Sequence, residues 1–417
     1  MTMVATPGTL TASLKVACPR KELYEAVQTV GHAVSGRSTL PILSHILIQS
    51  EEDGLRLIAT DLELGISCKI PKERHELSGT EGAARAMLPV AEIFEIGALT
   101  APSKTLSEVL GNLSDREPVN ISVDKSHTIR VKSGKSDYKI LGLPAEDYPQ
   151  LPEVQDSTTF SISQKLLREM IRQTKFAVGT DESRPILTGI LMVFDGETLR
   201  FVATDTHRLA VKTVTIKEGK GSQNAIVPAR AMNELARLLT DAEGDVRVVL
   251  SSSQIQFSLP GDTEIQIIAR LIEGQFPNYQ RVIPADHQKR LTIPVSELQR
   301  AVRRASIVAR ENANRIIVRT DDDKLVLTAE SQIVGNAREE VQITREGDDV
   351  EIAFNARYLL DLLDVMDTEF LHLELTEALK PGIVRPVINA KTEEEAADGG
   401  STLVPDYLCV LMPMQIV

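Results

Sequence analysis

Tryptophan is absent from the 417 residues, and aromatic residues make up only 4% of them. A platform on which single-stranded bases stack needs aromatic faces, so that mode of nucleic-acid binding is poorly supported. Cysteine is scarce. Cys18, Cys68 and Cys409 lie far apart with no CxxC spacing, and a reducing compartment is expected. The seven histidines form no HxH or HExxH pattern, so neither a metal site nor any other cofactor is expected. No apolar run approaches the roughly 18 residues that span a bilayer, and no membrane partner is expected. The opening "MTMVATPGTLTASLK" lacks the basic-then-apolar layout of a signal peptide; it reads as a short flexible tail, and the expected location is cytoplasmic. Positive charge is in the minority, with 46 Lys+Arg against 59 Asp+Glu and a formal net charge of −13. That argues against an indiscriminate polycationic binder but leaves room for a local basic face. Catalytic motifs are missing too. "SGKSD" (Ser133–Asp137) has Ile129 where a phosphate loop needs its first glycine.

What is present is an ordinary soluble composition, 42% hydrophobic and 25% charged, long enough for two to four domains and a sizeable core. It is also a repeat. "LRLIATDLELGIS" from Leu55 returns as "LRFVATDTHRLAV" from Leu199, a shift of 144. "LPILSHIL" (Leu40–Leu47) answers "RPILTGIL" (Arg184–Leu191) at the same shift. A third copy follows at a shift of 270, where "ILIQSEEDGLRLIA" (Ile46–Ala59) meets "IIVRTDDDKLVLTA" (Ile316–Ala329). Each copy opens on an amphipathic helix, as in Ser163–Phe176, where Leu167, Met170, Ile171 and Thr174 form one stripe. A period-2 hairpin, a second helix such as Pro228–Leu239, and further strands follow. Pro-bearing exits, "EDYPQLP" and "QFPNYQRVIP", close the first two copies. The expected divisions are therefore 1–155, 156–284 and 285–417. The first copy carries an insert near 79–100 with helical character, and the acidic, Gly/Ser-rich stretch 391–403 reads as a solvated loop.

Two helices stand out against the acidic background. On Ser163–Phe176, Lys165, Arg168, Arg172 and Lys175 lie opposite the apolar stripe. On Ser296–Arg310, Arg300, Arg303, Arg304 and Arg310 outnumber Glu297. Corresponding helices of tandem copies share one side, so their basic faces predict one positive surface for sequence-blind contact with a duplex backbone. Asp205 and His207, two apart at a hairpin end, invite a hydrolase or transferase reading. With no nucleophile motif nearby, the pair reads instead as local hydrogen bonding. A plain interaction scaffold is the other alternative.

The whole chain resembles the bacterial sliding clamps, the beta subunits of DNA polymerase III. "SGRSTLPIL" (Ser35–Leu43), "ATDTHRLAV" (Ala203–Val211), "GQFPNYQRVIP" (Gly274–Pro284), "FNARYLLDLL" (Phe354–Leu363) and "VLMPMQIV" (Val410–Val417) carry the likeness. The resemblance implies an α+β chain of three tandem clamp domains, each with two helices packed on antiparallel sheets. Two chains join head to tail as a homodimeric six-domain ring without catalytic activity. The implied partners are duplex DNA bound without sequence preference, the replicative DNA polymerase III, the clamp loader, and other polymerases and repair proteins with clamp-binding peptides. Arg37 joins Lys165, Arg168, Arg172, Arg300 and Arg303 as a DNA contact. A peptide pocket is implied from Leu187, Thr204, His207, Arg208, Leu209, Pro277, Arg281, Val282, Asn355, Tyr358, Leu379, Pro381, Val410, Leu411, Met412, Pro413 and Met414. Its physics is an apolar floor, adaptable methionines, and Arg208 or Arg281 for polar or acidic peptide groups. Tyr138 and Ile140, with Ile307 and Val308, are the implied dimer contacts. Thr206 departs from the family pattern, standing where glycine is common.

Overall fold

A computed structural model describes residues 13–34, 40–75, 87–155, 158–217, 219–387 and 406–416. Arg37, the opening tail and the acidic stretch 391–403 lie outside these residues. The chain forms two compact units. One draws on Met1–Lys165 and Arg237–Leu271, the other on Leu166–Ala236 and Ile272–Val417. The middle copy of the repeat contributes to both.

Six α-helices occur among the described residues: α1 (Arg20–Gly31), α2 (Ser103–Asn112), α3 (Gln164–Lys175), α4 (Ala229–Leu238), α5 (Val295–Ala309) and α6 (Ala356–Leu363). The predicted stripe on α3 is fully buried, with Leu167, Met170, Ile171 and Thr174 all at 0% exposure. Thr174, the polar member, is satisfied by donating from Oγ1 to the Met170 carbonyl at 2.7 Å.

Among the described residues the first unit holds two large antiparallel sheets and a two-stranded ribbon, Glu73–His75 with Met87–Pro89. Five strands run in the order Ser136–Leu141, Thr128–Ser133, Val119–Val123, Leu14–Cys18 and Glu92–Glu95. The second sheet joins two copies of the repeat. Leu64–Pro71 from the first pairs with Glu264–Arg270 from the second, with Leu64 opposite Ala269 and Ile66 opposite Ile267. In the second unit, Arg208–Thr215 likewise pairs with the last strand, Tyr407–Leu411, placing Leu209 opposite Val410. That ladder is central to a nine-stranded sheet, while a separate four-stranded sheet includes Arg315–Asp321 and Lys324–Ser331.

The repeat survives as geometry. The shift of 144 maps α1 onto α3 at both ends, and the strand starts His45, Gly54 and Leu64 onto Gly189, Thr198 and Arg208. The shift of 270 maps His45 and Gly54 onto the strand starts Arg315 and Lys324. The insert departs from its helical expectation. Met87–Pro89, Glu92–Glu95 and Ala98–Pro102 are strands, and 79–86 lies outside the described residues. Ladder pairing decides the matter. Ile93 and Glu92 pair with Val16 and Ala17, and Ala98–Pro102 pairs with His45–Gln49, so the local helical preference is overridden.

All three copies build the same capped hairpin end. Asp61 Oδ1 accepts from the amides of Glu63 (3.1 Å) and Leu64 (2.8 Å). Asp205 Oδ1 accepts from His207 (2.9 Å) and Arg208 (3.0 Å), and Ser331 Oγ from Ile333 and Val334 (3.2 Å each). Short polar side chains at such turns satisfy amides that no ladder reaches. In the first two copies the residue inside the turn takes a positive φ of 77°, and it is a leucine, Leu62, or a β-branched threonine, Thr206. Each costs about 1–2 kcal/mol in that conformation. Asparagine tolerates it without the entropy cost of glycine. Leu62→Asn and Thr206→Asn are therefore expected to stabilise the fold by about 0.5–1 kcal/mol each, whereas alanine is not. Denaturant midpoints at constant slope check this, and an unchanged midpoint for both asparagine variants would contradict the strain argument.

The three cysteines are buried and unpaired. Burial pushes the Cys18, Cys68 and Cys409 thiols up to about 12, which leaves them as small apolar side chains without thiolate reactivity.

Candidate functional site

In the second unit, the strand ladder, the exit segment of the middle copy and the chain end enclose a cavity of about 170 Å³. Leu209 and Val410, direct partners in the ladder, form its buried floor and are backed by the core cluster that includes Leu191, Val202 and Ile226. Pro277, Tyr279 and Val282 line one side. The short 3-10 turn Tyr279–Val282 has three residues per turn, which brings Tyr279 and Val282 onto one face. Met412 lines another part, held by its amide donating to the His207 carbonyl at 2.9 Å. Thr204 and Thr206 complete the lining from the hairpin end, with Asn278 from the exit.

Arg208 lines the cavity too, but its guanidinium is already engaged. Nε donates to Asp205 at 3.0 Å and Nη1 to Asp361 at 2.6 Å, and the group lies 4.5 Å from the Tyr358 ring centre and 5.4 Å from that of Phe176. It is only 8% exposed. Two of its five N–H donors are thus held by carboxylates of the protein itself, so Arg208 braces the pocket wall. His207 stacks on Tyr358 at 6.0 Å. Partial burial, with Asp205 nearby, raises the Tyr358 hydroxyl above its ordinary value. Asp205 spends one oxygen on backbone amides and the other on Arg208, an arrangement that holds a turn rather than activating a base.

Several expected pocket residues stand away from this cavity. Leu187 is buried in its own 3-10 turn, where its carbonyl accepts from Gly179 at 2.8 Å. Leu411 is buried and does not line it. Strand side chains alternate, and Val410 and Met412 hold the cavity face. Asn355 caps α6, accepting from Arg357 at 3.0 Å and Tyr358 at 3.4 Å. Arg281 and Leu379 are exposed, and Pro381, Pro413 and Met414 are half-buried; none lines the cavity. Conversely, Asn278 and Tyr279 do line it. Their sequence signal lay inside the "QFPNYQRVIP" motif, in the spacing of Tyr279 and Val282.

The basic helices are exposed but partly neutralised. Lys165 and Arg300 are exposed, and Arg168 is half-buried. Arg172 is ion-paired with Asp367, Arg303 with Asp364 at 3.3 Å, and Arg304 with Glu339. Exposed pairs of this kind are weak, so a phosphate can displace the carboxylates. Of the expected dimer contacts, Tyr138 is 40% and Ile307 60% exposed, and Val308 is half-buried. Ile140 is buried, at 7% exposure, and lies opposite Ile129 in its own sheet. Leu141, on the same edge strand, is 78% exposed. Among the described residues no cluster of His, Cys, Asp and Glu is arranged to hold a metal ion.

Comparison with known proteins covers nearly the full chain. Residues 14–152, 161–278 and 280–398 match, in order, the N-terminal, central and C-terminal domains of the DNA polymerase III beta subunit. The chain is 33% identical over 356 residues to a beta sliding clamp of Staphylococcus epidermidis, covering 85% of this chain and 90% of that one. A DNA polymerase sliding clamp from Bacillus subtilis superposes with a TM-score of 0.86 at 28% identity, over 97% of this chain and 100% of that one. A sliding clamp from Pseudomonas aeruginosa, bound to griselimycin, does so with a TM-score of 0.83 at 31% identity and the same coverage.

Proposed function

The chain belongs to the DNA polymerase III beta subunit family, and from that premise we propose that it works as a ring-shaped DNA sliding clamp. The observation that carries this reading is the ordered match of three beta-subunit domains along one chain. On this reading the three copies, 1–155, 156–284 and 285–417, are the domains. Two chains close head to tail through a heterologous contact that rotation completes as a ring. The ring encircles duplex DNA and confers processivity by topology, without catalysing a reaction, in the cytoplasm. The replicative polymerase, the clamp loader and repair proteins dock by short peptides in the cavity floored by Leu209 and Val410. Its apolar floor and the adaptable Met412 suit varied guests.

A ring that slides freely touches phosphates weakly, through water and long basic side chains. Lys165, Arg168, Arg172, Arg300, Arg303 and Arg37 supply these contacts. The test is retention on circular DNA with run-off from a linear end. The triple variant Lys165→Ala/Arg300→Ala/Arg303→Ala is expected to lower retention on circles and to flatten its salt dependence by about one unit of slope per lost phosphate contact. A wild-type slope in the variant would show that DNA lies elsewhere, and equal retention on linear and circular DNA would refute encirclement.

A further inference from the structure

The repeat places a second groove in the first copy, built from the counterparts of the hairpin end and exit segment that line the cavity described above, together with the 3-10 turn that precedes the hairpin. The 3-10 turn Pro41–Ser44 corresponds to Pro185–Leu187, Leu62 corresponds to Thr206, and the exit around Pro149 corresponds to that around Pro277. Between them lies a cavity of about 460 Å³. Even the neighbouring strand is tied in the same way. The Arg270 amide donates to the Glu63 carbonyl at 2.9 Å, as the Met412 amide does to the His207 carbonyl.

The lining is a different chemistry. Among the described residues that line it, eight are leucine, isoleucine or proline, and Asp147 is the only charged one. Leu40 and Leu62 are 52% and 56% exposed, an unusual arrangement for two large apolar side chains at one mouth. Leu62 also holds a backbone conformation that leucine disfavours, so its display has an energetic cost. The walls are firmly placed. Leu143 donates to Thr100 Oγ1 at 2.9 Å, and Tyr148 Oη donates to the His45 carbonyl at 3.1 Å. Glu146 is exposed beside Asp147, and the nearby cation Arg270 is matched by Glu63 at 3.7 Å, so the acidic pair is not outweighed.

We propose that this groove is a second peptide-docking site, selective for a linear segment of a partner protein that carries adjacent apolar anchors followed by Lys or Arg. The apolar floor takes the anchors, and Asp147 with Glu146 favours a basic flank and repels an acidic one. The inference rests on the proposed peptide role of the Leu209–Val410 cavity, from which it is extended by the repeat. It gives one ring two kinds of docking site with different charge preference.

Two labelled probe peptides test it: Gly-Ser-Leu-Leu-Lys-Arg-Gly, and the same peptide with Glu-Glu in place of Lys-Arg. Each is titrated by fluorescence anisotropy against the full-length protein and three exposed-site variants. The basic probe should bind wild type saturably and about tenfold tighter than the acidic one. Leu62→Asp and Asp147→Lys should each weaken it at least about tenfold, while Met412→Asp leaves it unchanged. Aspartate tolerates the Leu62 backbone, so that variant keeps its fold. No saturable binding up to ~1 mM, loss on Met412→Asp instead of Leu62→Asp, or indifference to Asp147→Lys would overturn the proposal. So would binding that appears only after residues 1–12 are removed, since the chain's own N-terminus would then be the occupant. Failure of the Leu209–Val410 reading looks different: polymerase-derived peptides would bind Met412→Asp as tightly as wild type, whatever the Leu62 variant does.

Discussion

Removing Met412–Val417 is expected to leave a folded dimer that still encircles DNA but has lost its polymerase and clamp-loader binding. The last strand, Tyr407–Leu411, survives the cut with its pairing to Arg208–Lys212 on one side and Gly382–Val384 on the other. What disappears is the Met412 part of the cavity lining. Three hydrogen bonds go with it: Met412 to the His207 carbonyl, Met414 to the Ala353 carbonyl at 2.8 Å, and Arg315 to the Gln415 carbonyl at 3.2 Å. Those bonds together are worth about 1.5–4.5 kcal/mol, so unfolding shifts but stays cooperative. A guest peptide loses one apolar wall, worth about 1.5–3 kcal/mol of burial, which is a drop of at least about tenfold in affinity. Calorimetric titration of a polymerase-derived peptide decides it. Equal affinities for truncated and intact protein would sink the pocket assignment. The point variant Met412→Asp separates loss of the wall from loss of the tail.

Ile307→Asp is expected to convert the dimer to folded monomers. On α5 the buried residues Leu298, Ala301, Val302, Ala305 and Ala309 form the stripe that packs inward. Ile307 falls outside it and is 60% exposed, so its side chain does not serve the core of its own unit. An unpaired carboxylate trapped in a subunit contact costs several kcal/mol, enough to move a tight dimer into the dissociated range. Val308 is half-buried, so Val308→Asp should lower stability as well as association. The two variants therefore differ: Ile307→Asp alone keeps the wild-type melting profile of a protomer. Sedimentation velocity at micromolar concentration checks this, and an unchanged dimer for Ile307→Asp refutes the assignment. Leu141, exposed on the edge strand Ser136–Leu141, is the complementary position to test for the proposed head-to-tail contact.

The local order of this chain was legible in its residues. The 3.6-residue spacing of Leu167, Met170, Ile171 and Thr174 specified both a helix and its buried face. The 144 and 270 shifts recovered strand starts to the residue, because a repeat records the same ladder and turn constraints more than once. Even the hairpin ends were set locally, since Asp61, Asp205 and Ser331 each reach amides only two or three positions ahead. The insert was misread because a short segment of mixed preference takes whichever structure its partner strands impose. Tertiary structure alone decided which charges are available. Arg208 is held by Asp361, 153 residues away, and Arg172 by Asp367, 195 residues away. A helical wheel shows a basic face but not the carboxylates that another segment brings against it. It was likewise only the cross-copy ladder of Leu209 with Val410 that made a cavity floor from two segments 201 residues apart. Helix and turn formation depend on neighbours within a few residues, whereas ion pairing and strand pairing depend on distances in space that no spacing in the chain encodes.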